Sequence, residues 1–458
     1  MFRLFRVEDA RALLILAIPV FLAQLAQMSM GFVDAVVAGR ASATDMASVA
    51  VASSFWIPTT LFGQGILMAI TPLVAQARGA GAHEGLGLYL RQGVWLALFI
   101  SVCLMLALFG ASLLLPSFSG IEGDLSRKTA LYLRFILCGV PGLMLYCVFR
   151  AFLEGHGRTR PAMMAGFIGL LLHIPANFIF VFGLFGFPAL GGPGCGLASA
   201  IVCWVMAVIM FFSVRQASPH SIRSIRIGAL RKSVAVRILR IGLPGACALL
   251  IETSSFLLIA LLIAPLGAVV VAGHQVALNV SGLLFVIPLS IGSATTIRVG
   301  VCLGEGDLLH ARRTHRTAIG LILLLAMLSA SGLLLFRNSL AMVYSKEVAV
   351  ISLAAMLLIF AAIYQFSDAV QLVTVSALRG YNDTRAIFAI TFISYWLVSF
   401  PLGCALALTS WLTPAPLGAA GFWISLIVGL SCAALLSTIR LKSLEKLSPE
   451  AIQAKINR

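Results

Sequence analysis

Residues 241–264 read IGLPGACALLIETSSFLLIALLIA, and this stretch decides the fold. Glu252 is its only charged residue, and its length exceeds the roughly 20 apolar residues that a helix needs to cross a hydrocarbon core. A strand of a membrane barrel would be about half as long and would alternate apolar with polar residues. The stretch therefore predicts a transmembrane helix that carries one carboxylate inside it.

The rest of the chain has the same apolar character. Of its 458 residues, 60% are hydrophobic and 10% are charged, whereas soluble domains carry roughly 25% charged residues. The nine cysteines are odd in number and lie mostly in apolar segments, without the spacing of a disulfide framework or a metal site. The composition therefore predicts an integral membrane protein built from helices.

Twelve apolar segments are predicted to span the membrane. They lie at 12–38, 47–73, 90–115, 131–153, 161–186, 194–214, 236–264, 270–299, 316–336, 350–378, 386–409 and 416–439. The first segment is longer than the core of a signal peptide and is expected to be retained.

The basic residues predict the orientation of these segments. Of the 32 Lys and Arg residues, those assigned to the outer side are Arg40, Arg127, Lys128, Arg134, Arg337 and Lys346. The positive-inside rule then places both termini in the cytoplasm. The net charge of +16 is explained as a topology signal, and no nucleic-acid partner is expected.

An internal repeat links the first six segments to the last six at a constant offset of 225 residues. The matching residues are mostly Gly, Pro, Thr and Arg, so shared hydrophobicity alone does not explain the match. The pairs are Pro19 with Pro244, Ala69 with Ala294, Thr71 with Thr296, Gly79 with Gly304, Gly81 with Gly306, Arg91 with Arg316, Gly155 with Gly380, Thr159 with Thr384, Arg160 with Arg385 and Gly196 with Gly421.

The repeat predicts the architecture, because six segments return the chain to the side on which it started. We expect an all-α integral membrane protein with twelve transmembrane helices in two pseudo-two-fold related six-helix lobes. The predicted N-lobe covers residues 1–214 and the C-lobe covers 236–440. A cytoplasmic linker at 215–235 and a cytoplasmic tail at 441–458 complete the chain.

Three carboxylates inside the predicted helices point to the function. Asp34, Glu252 and Asp368 lie in apolar segments, and no Lys or Arg lies in mid-span to neutralise them. A charge at the bilayer centre costs at least about 2.5–3.5 kcal/mol, and such acids usually face a cavity or an ion path. The three acids also break the repeat, since their counterparts are Ile259, Gln27 and Leu143. The two lobes are therefore expected to have different roles.

Glu252 and Asp368 lie at matching depth in the predicted C-lobe. Glu252 follows Arg240 by 12 residues and Asp368 precedes Arg379 by 11, so each lies about 16–18 Å from the cytoplasmic edge. Their oxygens could share a proton or bind Na⁺, which makes the pair the candidate metal site; each could instead be a structural acceptor for a neighbouring helix. Tyr364, one turn before Asp368, is either a site neighbour or an interfacial anchor.

Polar residues in the eighth segment form a second group of candidates. His274, Gln275 and Asn279 could line a cavity beside Glu252, and Gln275 and Asn279 share one helical face. The competing interpretation is that these side chains bond neighbouring helices to each other.

Asp34 is the candidate for a proton or substrate site in the N-lobe. Gln27 lies seven residues before it on the same helical face, and His173 and Asn177 in the fifth segment could face it. The alternative is that Asp34 reaches the membrane surface near Arg40 as a helix-end residue.

One enzyme motif is present, and it is weak. Residues 304–307, GEGD, have the form found in intramembrane aspartyl proteases, yet they lie in a predicted cytoplasmic loop. The sequence has no phosphate-binding GxxxxGK loop, so ATP is not expected to drive the protein directly, and no enzymatic activity is expected.

Four short motifs resemble the multidrug and toxic compound extrusion (MATE) family, in its NorM-type branch. They are VDAVVAG at 33–39, AGHQVALN at 272–279, IRVG at 297–300 and RGYNDT at 379–384. The resemblance implies export of drugs in exchange for Na⁺ or H⁺. It implies a cation site at Glu252 and Asp368 with Tyr364 beside them, and an N-lobe site at Asp34 with Asn177. His173 stands where the family pattern leads us to expect a smaller amide.

We therefore expect a secondary antiporter that exports lipophilic, often cationic compounds by alternating access. It would act as a monomer in a bacterial inner membrane and use Na⁺ or H⁺ as the coupling ion without another cofactor. A lipid-linked saccharide flippase of the same superfamily is the alternative, but it would need a basic cavity. Another class with twice six helices usually has an acidic and basic motif that residues 76–91 lack.

Overall fold

The structure, a computed structural model, describes residues 7–115, 123–221 and 231–457; for residues 83, 84 and 455–457 it describes the backbone alone. The helices are α1 Val7–Ala41, α2 in two pieces (Ala43–Leu67 and Ile70–Gly79), α3 His83–Leu114, α4 in two pieces (Gly123–Leu137 and Val140–Gly155), α5 Arg160–Phe182, α6 Gly192–Ala217, α7 Lys232–Ile263, α8 Ala268–Glu305, α9 Leu308–Tyr344, α10 Val348–Gly380, α11 Thr384–Leu408, α12 Ala419–Glu445 and α13 Pro449–Asn457.

The predicted all-α membrane fold is confirmed. Within the described residues, eleven helices are long and apolar enough to cross a membrane, and α4 makes a twelfth if its two pieces form one span. Most of these helices extend beyond the predicted segments. The predicted first segment, 12–38, is for example part of the longer helix Val7–Ala41, because polar residues continue the helix at both ends.

The fourth segment, predicted at 131–153, starts earlier in the structure and consists of two pieces. The helix begins at Gly123 and breaks between Leu137 and Val140, with an angle of 46° between its pieces. Pro141 cannot donate a backbone hydrogen bond to the preceding turn, which favours the break. Gly139 lies at the break, where a Cβ would come within 2.6 Å of the Cα of Ala200 on α6.

The fifth segment ends earlier than its predicted boundary at residue 186. Helix α5 stops at Phe182 because Gly183 has a φ of 73°, in the left-handed region that ends many helices. A short 3₁₀ turn, Leu184–Gly186, follows.

The chain folds into two compact units. The N-unit is Ile18–Ala246, and the C-unit combines Met1–Ala17 with Cys247–Arg458. Each has its own apolar core: Leu67, Ile70 and Phe152 are buried in the N-unit, and Leu358, Phe422 and Trp423 are buried in the C-unit.

Helix α11 contains a widened segment in its middle. Phe392–Ser399 has the hydrogen-bond pattern of a π-helix, and Pro401 follows two residues later. A proline lacks the N–H that would bond to the carbonyl four residues earlier, so it disturbs the regular pattern at this point. Such segments are rare and often occur at functional sites.

Helix α13 packs against other helices of the C-unit. Helix α13 lies in the predicted tail, and Ile452 is only 2% exposed in a cluster with Leu303, Tyr381 and Leu444. The amide of Gln453 also donates to the carbonyl of Leu303 at 3.1 Å. In the predicted linker, α6 ends at Ala217 and α7 begins at Lys232, and residues 222–230 lie outside the described part of the chain.

Candidate cation and substrate sites

Glu252 and Asp368 lie in the same unit, on α7 and α10. Asp368 is 2% exposed and Glu252 is half-buried, and the two carboxyl groups are close enough to interact electrostatically. Two acids in an apolar interior repel each other when both are ionised. The arrangement can therefore hold a cation or a proton that neutralises part of this charge.

Tyr395 is the hydrogen-bond partner of Glu252 in this site. It lies in the π-helical segment of α11, is fully buried, and donates its hydroxyl to Oε1 of Glu252 at 3.1 Å. The sequence prediction missed this residue, because a regular helix and a π-helix present different faces and no sequence signal distinguished them. Pro401 was the only local hint.

The acids of the C-unit were expected to have no basic neighbour. For Glu252 this expectation is wrong, because Arg379 lies near it. Although it lies at the end of α10, Arg379 is within electrostatic reach of Glu252. Its repeat counterpart is Glu154 on α4, which accepts a 2.7 Å bond from Arg150 in the N-unit. Arg150 lies inside the predicted fourth segment, so an internal Arg exists there as well. The described part of the chain shows no hydrogen bond between Arg379 and Asp368.

Tyr364 lies beside Asp368, and it also packs against the core. Its ring is 8% exposed and meets the ring of Trp423 edge to face, with the centroids 5.9 Å apart. The indole N–H of Trp423 in turn donates to Nδ1 of His274 at 3.2 Å. His274 is thus connected to Tyr364 through Trp423, in the packed interior of the unit.

The other two candidates on α8 are on a different face from His274. Gln275 and Asn279 are exposed, and the amide of Gln275 donates to Oδ1 of Asn279 at 3.0 Å. Among the described residues, neither side chain has a hydrogen bond to Glu252. Their predicted role in lining a cavity stays a prediction.

Asp34 in the N-unit is surrounded by polar side chains from α5 and α6. Nδ2 of Asn177 donates to its Oδ1 at 2.9 Å, and Oγ of Ser199 donates to its Oδ2 at 3.3 Å. Nε2 of His173 lies 3.3 Å from Oδ1. The carboxyl group is 7% exposed. The site thus surrounds the Asp34 carboxyl group with hydrogen-bond donors, and it adds a positive charge when His173 is protonated.

The sequence predicted part of this cluster. His173 and Asn177 were expected to face Asp34, and they do so from successive turns of α5. Ser199 was not predicted, because it is one of many small residues in α6. Gln27 is elsewhere: its amide donates to the hydroxyl of Tyr146 at 2.8 Å, and no bond to Asp34 is found.

A conventional metal centre would need a different set of ligands. Within residues 7–115, 123–221 and 231–457, no three His, Cys, Asp or Glu side chains come together as a metal site. A monovalent cation needs only oxygen ligands, and carboxylate, hydroxyl and carbonyl groups provide these. Asp368 and Glu252 therefore stay the candidate ligands for Na⁺.

Comparison with known proteins agrees with this arrangement of helices and identifies the class as a multi-pass membrane transporter. The family model MatE matches residues 19–179 and again residues 244–404, two segments separated by the repeat offset. The chain therefore belongs to the MATE family of transporters.

Solved structures of the family share the fold at low sequence identity. The eukaryotic MATE transporter AtDTX14 is 20% identical with a TM-score of 0.85, and 98% of each chain is covered. The Vibrio cholerae transporter VcmN in its bent form is 19% identical with a TM-score of 0.82, again over 98% of both chains. A MOP-superfamily transporter from Pyrococcus furiosus, whose reversed pocket polarity suggests a different function, is 20% identical with a TM-score of 0.84 over 97% of this chain and 98% of its own.

Proposed function

We propose that this protein is a secondary antiporter of the NorM-type branch that exports lipophilic, often cationic compounds in exchange for Na⁺ or H⁺. One observation carries the proposal: Asp368 is buried within electrostatic reach of Glu252, and its Oδ1 has no hydrogen-bond partner among the described residues. A buried carboxylate without a partner is costly unless a cation or a proton neutralises it.

The coupling follows from this requirement. A ligand shifts the populations of two conformations only if it binds one of them more tightly. If the ion and the exported compound favour opposite conformations, each can therefore drive the other across the membrane. The acids of the C-unit provide the ion site, and Asp34 with Asn177 provides a second, separately titrating site. Both termini face the cytoplasm of a bacterial inner membrane, the monomer is the working unit, and the protein catalyses no chemical step.

The flippase alternative is weaker because of the charges inside the helices. A pyrophosphate-linked substrate would need free basic groups, whereas Arg150 is paired with Glu154 at 2.7 Å and Arg379 is near Glu252. The binding pocket of the Pyrococcus furiosus transporter has reversed polarity. The polarity of the pocket in this protein is therefore a property to test directly.

The test uses purified protein in liposomes loaded with a fluorescent lipophilic cation, under an imposed Na⁺ gradient or an imposed pH gradient. Wild-type protein should export the compound under at least one gradient. Glu252→Gln and Asp368→Asn should each abolish this coupled export, because an amide can neither release a proton nor supply negative charge.

Glu305→Gln is the matched control, since Glu305 is an exposed acid of the same unit. It should export like the wild type. Equal export by Glu252→Gln, Asp368→Asn and the wild type, at equal insertion, would contradict the proposed ion site. Absence of export by the wild type under both gradients would contradict the antiporter.

A further inference from the structure

The inner ends of the two units, which are predicted to face the cytoplasm, pack in the same way. In the N-unit, a Cβ on Gly155 of α4 would come within 2.7 Å of the Cβ of Val74 on α2. In the C-unit, a Cβ on Gly380 of α10 would come within 2.8 Å of Cγ1 of Val299 on α8. The two glycines are counterparts in the 225-residue repeat, and so are the two valines. The two inner ends can therefore be compared position by position.

In the N-unit, one side chain fastens this end. Arg78 lies in the last turn of α2, and its Nη1 donates a hydrogen bond to the carbonyl oxygen of His156 at the end of α4. The counterparts of Arg78 and His156 in the C-unit are Leu303 and Tyr381. A leucine side chain has no hydrogen-bond donor, so the same bond cannot fasten the last turn of α8 to the end of α10.

In the C-unit, helix α13 joins these two positions instead. Ile452 is 2% exposed and lies in the apolar cluster that contains Leu303 and Tyr381, together with Leu444 of α12. The amide of Gln453, the next residue, donates to the carbonyl oxygen of Leu303 at 3.1 Å. One apolar side chain and one hydrogen bond of α13 thus replace the bond that Arg78 makes in the N-unit.

Helix α13 differs from an arginine side chain because it is a separate element. Helix α12 ends at Glu445 and α13 begins at Pro449, so a short turn links the two. Among residues 449–454, whose side chains the structure describes, Ile452 alone is buried. A helix of this length is not stable in water unless it packs against something. Docking of Ile452 and Gln453 therefore supports the helix itself, and release of α13 would unfold it.

We propose that Leu303, Tyr381 and Leu444 form a docking surface for α13, and that α13 is a detachable strap on the inner end of the C-unit. When α13 is bound, it fastens the last turn of α8 to the end of α10. When it is released, this end loosens, whereas the inner end of the N-unit stays fastened by Arg78. The proposal concerns the C-unit alone and holds for any exported compound and for either coupling ion.

The first test measures the hydrogen exchange of backbone amides in the full-length protein in lipid nanodiscs. Ile452→Asp places a charge in the apolar cluster and should detach α13. Residues 300–306 and 379–383 should then exchange about tenfold faster or more, because the packing that protects them is lost. Residues 75–81 and 154–158 of the N-unit should exchange as in the wild type. Ala451→Asp is the matched control, since it adds the same charge at an exposed position of α13 and should exchange like the wild type.

Two further variants separate the two ways of fastening. Gln453→Ala removes one hydrogen bond and should speed the exchange of residues 300–306 by about threefold. Arg78→Leu should speed the exchange of residues 75–81 and 154–158 and leave residues 300–306 unchanged. Unchanged exchange at 300–306 and 379–383 in the Ile452→Asp protein would overturn the proposal, because α13 would then fasten nothing. Equal acceleration in both units would also overturn it.

The second test asks whether the docking surface binds α13 as a separate molecule. A fluorescent peptide of residues 446–458 should bind the Ile452→Asp protein one-to-one and restore slow exchange at residues 300–306. It should bind the wild type at least about tenfold more weakly, because the tethered α13 competes for the same surface. The same peptide with Ile452→Asp should bind neither protein. Equal binding of the native peptide to both proteins, or to neither, would overturn the detachable strap.

Discussion

Asp34 and Asp368 are the same residue type in the two units, and their surroundings are opposite. Asp34 has Asn177, Ser199 and His173 around its oxygens, whereas Oδ1 of Asp368 has no partner among the described residues. Hydrogen-bond donors stabilise a buried carboxylate, whereas a buried carboxylate oxygen without a donor is costly unless a cation or a proton neutralises the group. The difference supports the proposal that the acids of the C-unit bind the coupling ion and that Asp34 forms a separate site.

The largest difference is expected when each of the two aspartates is replaced by asparagine in a separate variant. Asp368→Asn should remove measurable Na⁺ binding, because it removes a buried carboxylate whose Oδ1 has no hydrogen-bond partner among the described residues. Asp34→Asn should impair export while its Na⁺ affinity stays within about threefold of the wild type, or about 0.7 kcal/mol. Isothermal titration of NaCl compares the two. If Asp34→Asn loses Na⁺ binding as completely as Asp368→Asn, the acids form one site and the comparison fails.

A smaller effect is expected from removing the strongest donor to Asp34. Asn177→Leu should lower the free energy of unfolding by about 1.5–3 kcal/mol, the usual range for a hydrogen bond to a charged group. Denaturation in mixed micelles at neutral pH measures it. The control is Asn279→Leu, since Asn279 is exposed and accepts its hydrogen bond from Gln275 on the same helix. Equal losses for the two variants would show that Asn177 does not specifically stabilise Asp34.

The smallest effect is expected at Glu252, which has a single neutral donor. Tyr395→Phe should slow coupled export by about fivefold to tenfold, about 1–1.4 kcal/mol, since it removes one hydroxyl from a half-buried carboxylate. Tyr344→Phe is the control, because Tyr344 is exposed at the end of α9. Export rates from liposomes under the same gradient compare them. An unchanged rate for Tyr395→Phe would mean that its hydroxyl does not position Glu252.

Much of this architecture is predictable from the sequence because the bilayer imposes simple rules. Long apolar segments and the 225-residue repeat predict the spans, and the matched segments 19–179 and 244–404 reproduce the repeat. Mid-span acids identify where charge must be neutralised, and helical spacing brings His173 and Asn177 to Asp34. These features depend on composition and on local periodicity.

What the sequence does not predict depends on the exact path of the backbone. The break in α4 lies where Gly139 closely approaches Ala200, a residue far away in the chain. Tyr395 reaches Glu252 from a π-helical segment that has no sequence signature. Ser199 looks like any other small residue of a membrane helix until its neighbours are known.

The π-helical segment of α11 has a consequence for how this family can change over evolutionary time. Successive residues of a regular α-helix are rotated by about 100° about the helix axis. The deletion of one residue therefore rotates all later side chains of that helix by this angle. Phe392–Ser399 has the hydrogen-bond pattern of a π-helix, with more residues per turn than an α-helix. The deletion of one residue from it could restore a regular α-helix that still spans the membrane. Such a deletion would turn Tyr395 away from Glu252. Descendants of this transporter could therefore lose the partner of the acid through a change in length that leaves every other site residue in place.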